Sequence, residues 1–211
     1  PPGPAAGRGR RGEGGVAVMR AASANVTKVS LELGGKAPAI VMPDADLDLA
    51  ARCLRNSRIR NAGQVCTCPE RVYVHESIAE AFLAKITAAM AQTTFGDPLA
   101  EPGRNMGPLV SRQQRDHVEA AVQQAVHDGA TLALGGRRPE RKAGYFYPPT
   151  VLTHCDQKSA IMQREIFGPV LPVITFTDLD EAIALANDCE YGLASSLYTR
   201  DLHVVMRVCR E

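Results

Sequence analysis

Two residues of this chain combine a reactive side chain with a local sequence that could put it to use. Cys66 follows Gly63 and Gln64 in the run GQVC, where a small, flexible residue can present the thiol. Glu32 lies in the apolar run VSLEL, which stops at two glycines. A thiolate is a nucleophile, and a carboxyl buried in an apolar strand has its pKa raised toward that of a general base. The pair predicts covalent catalysis by Cys66, with Glu32 as the base.

Three motifs follow one another along the chain: ELGGK, which contains Glu32, then GQVC, then EIFGPV over residues 165–170. Their order and separation resemble those of the aldehyde dehydrogenase superfamily of NAD(P)-dependent enzymes. The resemblance runs from about Ala21 to the last residue. The segments LELGGKAPAIVM, CPERVYV, MGPL and EIFGPVLPV are most similar to the lactaldehyde and glycolaldehyde dehydrogenase branch.

The resemblance implies a reaction and a role for each site residue. Cys66 attacks an aldehyde to form a thiohemiacetal, hydride leaves to a nicotinamide to give a thioester, and Glu32 activates the water that hydrolyses it. Glu165 and Phe167 hold the nicotinamide ribose and flank the nicotinamide ring, and the Leu33 carbonyl contacts the nicotinamide. The expected cofactor is NAD, with NADP left open, and the expected substrate is a small hydroxyaldehyde such as lactaldehyde or glycolaldehyde. The intact enzyme is expected to be a homo-oligomer, a dimer or a tetramer.

Two other functions fit the same residues. Cys66 and Glu32 alone could turn over activated esters as a cofactor-independent thiol esterase. The chain could also be an inactive fragment or pseudoenzyme whose motifs are relics. Because the sequence opens on Pro1 and stops at Glu211 within a helical pattern, we expect a piece of a longer protein that is inactive alone.

Composition excludes several other partners. Lys plus Arg is 24 against 23 for Asp plus Glu, a formal charge of +1, so we expect no nucleic-acid partner. No stretch approaches the roughly 18 apolar residues of a membrane span, and no secretion signal opens the chain, which predicts a cytoplasmic protein without a membrane partner. We therefore expect the six cysteines to be free thiols. All except Cys66 are expected to be buried as small hydrophobic residues.

Neither a phosphate loop nor a metal site is predicted. A Walker A loop would need Gly and then Ser or Thr where the chain has Ser30 and Ala37. The acidic run DADLD resembles a calcium loop, but its sixth and twelfth positions are Leu49 and Arg55 instead of Gly and Glu. A zinc site would need a second pair of ligands beside Cys66 and Cys68, and the histidines are scattered.

Alternating strand and helix patterns predict an α/β fold with a largely parallel sheet flanked by helices, which the resemblance identifies with an aldehyde dehydrogenase catalytic domain. Strands are expected at 29–33, 38–42, 71–74, 131–136, 170–176 and 195–199, and helices at 46–61, 77–90, 111–128 and 181–188. Three segments are expected along the chain: a disordered or non-native Gly/Pro/Arg-rich tail (1–15), the end of a cofactor-binding domain (16–35) and a thiol-bearing catalytic domain truncated at its C-terminus (36–211).

Overall fold

The computed structural model of the chain describes residues 11–140 and 143–211. The chain divides into two compact units, one ending at Gly34 and the other running from Gly35 to Glu211. The sequence predicted a boundary between residues 35 and 36, one position further along.

The first unit contains helix α1 (Arg11–Ser23). Residues 11–15, which the sequence assigns to a disordered or non-native tail, belong to this helix, while residues 1–10 lie outside the described residues. The run VAVMRAA that follows contains the good helix formers Ala, Met and Arg. Adding a residue to a helix costs little free energy once the first turn has formed. Gly15 also has a packing role, because a Cβ atom built on it would lie 3.2 Å from Leu33 Cδ2.

The strand predicted over residues 29–33 is wrong. Val29 and Leu31 are half-buried and Ser30 and Glu32 are exposed, which is the expected alternation, but the segment belongs to no sheet. A strand exists only where its backbone bonds to a neighbouring strand, so the side-chain pattern alone was not sufficient.

The second unit is built on a six-stranded sheet in the order β3-β4-β5-β2-β1-β6. Its strands are β1 (Pro38–Val41), β2 (Arg71–His75), β3 (Thr131–Leu134), β4 (Thr150–Thr153), β5 (Val170–Phe176) and β6 (Ser196–Tyr198). The pairs β1·β2, β1·β6, β2·β5 and β4·β5 are parallel, and only the edge strand β3 is antiparallel to its neighbour β4. The predicted largely parallel sheet is confirmed.

Six helices accompany this sheet: α2 (Leu47–Ile59), α3 (Ala79–Ala91), α4 (Arg112–His127), α5 (Ala160–Gln163), α6 (Leu179–Asn187) and α7 (Leu202–Val208). Three begin at side-chain caps, because the side chains of Asp46, Ser111 and Asp178 each accept a hydrogen bond from the amide three residues on. A short 3-10 turn (Glu76–Ile78) precedes α3, so this helix begins two residues later than the predicted 77–90.

The core lies between the sheet and these helices. The central strands are buried along their length, as expected when both faces of a parallel sheet are covered. Helix α3 contributes Phe82, Ile86 and Met90, spaced by four residues on one buried face, and packs against α2. No helix in the described part of the chain is long and apolar enough to cross a membrane.

The sheet also explains where the sequence motifs lie. Strands β1, β2 and β5 are parallel neighbours, so their amino ends lie at the same end of the sheet. Within the second unit, Gly35 and Lys36 lead into β1, the segment 64–70 leads into β2, and the segment 165–169 leads into β5. Segments from three motifs that are distant in sequence therefore lie together at the amino ends of these strands.

Candidate active site

Cys66 lies on a turn whose shape is fixed by local hydrogen bonds. Asn61 Nδ2 donates to the Gln64 carbonyl at 3.1 Å, and Gln64 Nε2 donates back to the Asn61 carbonyl at 2.8 Å. The Cys68 amide donates to the Val65 carbonyl at 3.1 Å, which closes the turn around Cys66. Cys66 itself is half-buried. The thiol is thus carried on an ordered turn while remaining within reach of a small molecule.

Gly35 connects this turn to Glu165. Its backbone N–H donates to Glu165 Oε1 at 3.2 Å, and a Cβ atom built on it would lie only 2.3 Å from the carbonyl oxygen of Cys66. No side chain fits in that space, which explains the glycine. Glu165 is buried, with 8% of its surface exposed. The structure therefore brings together two of the predicted site residues, Cys66 and Glu165, on either side of Gly35.

A buried cluster of charges lies beneath the same segments. The carboxylate of Glu70 pairs with Lys36 Nζ at 2.8 Å and with Arg58 Nη2 at 3.3 Å, and all three side chains are almost fully buried. Burial alone would raise the pKa of Glu70, but the two cations and their hydrogen bonds outweigh it and lower the pKa from 4.5 to about 2. Glu70 is therefore ionised throughout the neutral and mildly acidic range.

Glu70 also binds the backbone of the EIF motif. It accepts from the Ile166 amide at 2.8 Å and from the Phe167 amide at 2.9 Å. On the other side, Gln114 Nε2 donates to the carbonyls of Ile166 and Phe167, both at 3.0 Å. Phe167 is half-buried and has a φ of 54°, in the left-handed region that side chains other than glycine rarely adopt. The predicted cofactor residue thus has a backbone conformation that its neighbours hold in place.

Arg58 joins the thiol turn to the residues after Phe167. Its Nε donates to the Gly168 carbonyl at 2.9 Å, and its Nη2 donates to the Gly63 carbonyl at 3.1 Å. Gly63 has a φ of 75°, and a Cβ atom on it would lie 2.3 Å from the Gly168 oxygen. The glycine before the thiol therefore permits both the turn itself and the close approach of the second segment.

Cys68 has a structural role. It is buried, its sulfur lies 3.3 Å from Arg58 Nη1, and its thiol donates to the Ser57 carbonyl at 3.1 Å. Among the remaining cysteines only Cys155 is buried, so the prediction of five buried cysteines is wrong: Cys53 and Cys209 are exposed and Cys189 is half-buried. A cysteine on the outer face of a helix meets water whatever its own preference.

The predicted burial of Glu32 is also wrong. Glu32 is exposed and Leu33 is 45% exposed, both within the first unit. Glu32 was placed in the interior because its neighbours are apolar, but apolar neighbours bury a residue only when the segment is covered on both sides. The catalytic role of Glu32 therefore no longer rests on burial in an apolar strand and stays a prediction that follows from the resemblance of its ELGGK motif.

The acidic run after Met42 serves local structure. Asp46 caps α2 by accepting from the Leu49 amide, and Asp44 accepts from Thr199 Oγ1 at 2.9 Å and the Arg200 amide at 2.7 Å. Over residues 11–140 and 143–211, no group of three or more His, Cys, Asp or Glu side chains could hold a metal ion.

Sequence reasoning missed Glu70, Arg58 and Gln114. Glu70 and Arg58 look like surface residues, because Glu and Arg are rarely buried unless they are paired. The useful signal was the position of Glu70, directly before a strand and four residues after Cys66. Gln114 lies three residues after the cap of α4, and no local sequence signal indicates that its side chain binds the backbone of residues 166 and 167.

The aldehyde dehydrogenase family model matches residues 12–211, which is nearly the whole chain and includes all three motifs. The chain belongs to the aldehyde dehydrogenase family. Within this family it is 49% identical over 196 residues to lactaldehyde dehydrogenase of Escherichia coli K12, covering 93% of this chain and 41% of the relative. It is 44% identical over 200 residues to 3,6-anhydro-alpha-L-galactose dehydrogenase of Vibrio sp. strain EJY3, covering 93% of this chain and 42% of the relative.

Solved structures of aldehyde dehydrogenases share the fold. The crystal structure of Escherichia coli lactaldehyde dehydrogenase superposes with a TM-score of 0.91 at 49% identity, covering 94% of this chain and 41% of that one. Betaine aldehyde dehydrogenase of Staphylococcus aureus, solved in complex with NAD+, gives a TM-score of 0.90 at 40% identity, covering 94% of this chain and 40% of that one. The chain therefore spans about two-fifths of the length of these family members.

Proposed function

We propose that this chain carries the thiol-bearing part of an enzyme that oxidises an aldehyde to a carboxylic acid with a nicotinamide cofactor. Cys66 is the nucleophile and Glu32 is the base. The observation that supports this most is the position of Gly35, whose backbone lies against the Cys66 carbonyl and donates to Glu165. One backbone position thereby joins the proposed nucleophile to the proposed cofactor ligand.

Cys66 supplies the covalent chemistry. Its sulfur attacks the aldehyde carbon and forms a thiohemiacetal, which is oxidised to a thioester. Glu32 then takes a proton from water, and the resulting hydroxide adds to the thioester carbon. The carbon–sulfur bond breaks, the acid leaves, and Cys66 returns as the thiolate. The ordered turn around Cys66 favours this reaction because it fixes the direction of attack.

Glu165 and Phe167 suit the nicotinamide end of the cofactor. A carboxylate can accept several hydrogen bonds, so Glu165 can bind ribose hydroxyls while it also accepts from Gly35. Phe167, two residues further along the chain, offers a half-buried aromatic ring, and Leu33 keeps its proposed carbonyl contact with the nicotinamide. When bound, the cofactor supplies the acceptor for the hydride that leaves the substrate carbon. NAD is the proposed cofactor, and NADP is the alternative.

The proposed substrate is a small hydroxyaldehyde such as lactaldehyde or glycolaldehyde. The support is the 49% identity with a lactaldehyde dehydrogenase and the 44% identity with an enzyme named for a sugar-derived aldehyde. A homo-oligomeric assembly and a cytoplasmic location also belong to this proposal and stay predictions.

The test uses the complete gene product, incubated with NAD and either lactaldehyde or glycolaldehyde while NADH is followed by absorbance. We expect NADH formation that is lost in Cys66→Ala and retained in Cys53→Ala, since Cys53 is an exposed thiol outside the site. Full activity of Cys66→Ala would contradict the proposal. Release of acid from an activated ester without NAD, at a rate exceeding aldehyde oxidation, would favour the thiol esterase instead.

A further inference from the structure

The backbone of residues 166 and 167 is bound on both sides by buried side chains. Glu70 accepts from both amides, Ile166 at 2.8 Å and Phe167 at 2.9 Å. Gln114 donates to both carbonyls at 3.0 Å. Four consecutive polar groups of the main chain are therefore held by two side chains that come from other parts of the sequence.

These four hydrogen bonds hold Phe167 in an unfavourable backbone conformation. Phe167 has a φ of 54°, and a side-chain-bearing residue remains in that region only where its surroundings enforce it. Two successive amide groups that point in one direction form a concave site for an anion. Here the anion is the carboxylate of Glu70, which belongs to the protein itself.

Glu70 is well placed to act on the cofactor residues without touching the cofactor. It is 2% exposed, so neither substrate nor cofactor can reach it. Its carboxylate is fixed by Lys36 and Arg58. Lys36 is the chain neighbour of Gly35, whose amide donates to Glu165. Glu165 is in turn the chain neighbour of Ile166, whose amide donates to Glu70. The same carboxylate thus anchors both backbone segments that position Glu165.

We propose that Glu70 is a positioning residue that holds Glu165 and Phe167 in the arrangement that receives the nicotinamide riboside, and that it thereby sets the affinity for the cofactor. This inference rests on the proposed function, because it requires that Glu165 and Phe167 contact the cofactor. It assigns Glu70 no part in the reaction of the thiol.

The test is Glu70→Gln in the complete gene product. Gln has nearly the shape of Glu, but one of the two terminal oxygens is replaced by an NH2 group. That group cannot accept a hydrogen bond, so the amide of Ile166 or of Phe167 loses its acceptor. We expect KM for NAD to rise about 10- to 100-fold, while kcat at saturating NAD changes little, because a small displacement of the binding groups is recovered by excess cofactor. Calorimetric titration with NAD should show a Kd raised by the same factor. Glu70→Asp, which keeps the charge, should show a smaller increase.

Val122→Ala is the control for loss of stability alone. Val122 lies in α4, is 1% exposed and belongs to the hydrophobic core. Its truncation should lower the midpoint of urea unfolding without changing KM or Kd for NAD. An equal rise of Kd in Val122→Ala would show that any weakening of the core has the same effect, and would overturn the inference.

Hydrogen exchange of the wild-type protein provides a second measurement if Glu70→Gln does not fold. The amides of Ile166 and Phe167 should exchange as slowly as those of the central strand β5. Exchange at the rate of an open loop would overturn the inference. A folded Glu70→Gln variant with unchanged Kd for NAD would overturn the inference alone, whereas a wild-type protein that binds no NAD would remove the proposed function and the inference together.

Discussion

The backbone amide of Gly35 donates to Oε1 of Glu165 at 3.2 Å, although 130 positions separate the two residues in sequence. The same glycine lies against the carbonyl of Cys66, at a distance that leaves no room for a Cβ atom. Three sequence motifs therefore meet at one backbone position. The parallel order of β1, β2 and β5 makes this meeting possible, because the segments that precede the three strands share one edge of the sheet.

Replacing Gly35 by Ala should damage both stability and activity. The new methyl carbon would lie 2.3 Å from the Cys66 oxygen, so the backbone must move. Overpacking of this kind costs about 1–3 kcal/mol in the free energy of unfolding. A displacement of the thiol turn by about 1 Å can lower the rate by about 100-fold. Urea unfolding and steady-state kinetics would measure the two effects.

Gly107→Ala is the matched control for this change. A Cβ atom on Gly107 meets nothing within 4 Å, and its φ lies outside the left-handed region. Activity should be unchanged and stability unchanged or slightly increased. Wild-type activity in Gly35→Ala would contradict the assigned contact between Gly35 and the thiol turn.

The Glu70 cluster predicts a specific loss of stability in acid. The folded carboxyl has a pKa of about 2 against an ordinary value of 4.5, so the unfolded chain takes up the proton first as the pH falls. The stabilisation from Glu70 is complete above about pH 4.5 and is lost progressively between pH 4.5 and 2. With one pKa unit worth about 1.4 kcal/mol, the effect is about 3 kcal/mol. Urea unfolding between pH 6 and pH 3 should show this slope, and Glu70→Gln should make it shallower by the share that Glu70 contributes.

The thiols should differ in their reaction with iodoacetamide. Burial raises the pKa of the Cys155 thiol to about 12, and Cys68 is enclosed by Arg58 and Ser57, so both should stay unmodified in the folded protein. Cys66 should be alkylated, and the loss of activity should follow its alkylation alone. Peptide mass spectrometry at successive times would show the order. Inactivation that follows modification of Cys53 instead would place the essential thiol elsewhere.

Glu32→Gln should separate the two halves of the reaction. Formation of the thioester depends on Cys66, whereas its hydrolysis depends on the base. The variant should therefore form about one NADH per protein molecule rapidly and then turn over about 100- to 10,000-fold more slowly than wild type. Stopped-flow absorbance would resolve the two phases. Glu190→Gln, at another exposed carboxylate, should behave like wild type, and a fully active Glu32→Gln would assign the base to another residue.

The parts of the fold that were predictable are those that local sequence determines. The caps of α2, α4 and α6 follow from Asp46, Ser111 and Asp178, whose partners are three residues away. Strands β2 and β5 follow from short β-branched runs between turn signals. The antiparallel direction of β3 was not predictable, because the strand pattern is the same in either direction.

The candidate site was predictable only where a motif carried it. Cys66, Glu165 and Phe167 were predicted because their motifs are distinctive, and the structure places all three at the same end of the sheet. Glu70 and Arg58 were not found, because a buried ion pair is defined by partners that are distant in sequence. Glu32 was wrongly assigned to the interior for a related reason, since burial depends on what covers a segment as well as on its composition.

The central claim is that the sulfur of Cys66 carries the substrate as a thioester. Glu32→Gln protein would be mixed with lactaldehyde and NAD, quenched in acid within the rapid phase, digested and examined by mass spectrometry. The proposed function predicts one acyl group on the peptide that contains Cys66 and none on the peptides of the other five cysteines. NADH formation with that peptide unmodified, or with the acyl group on another cysteine, would contradict it.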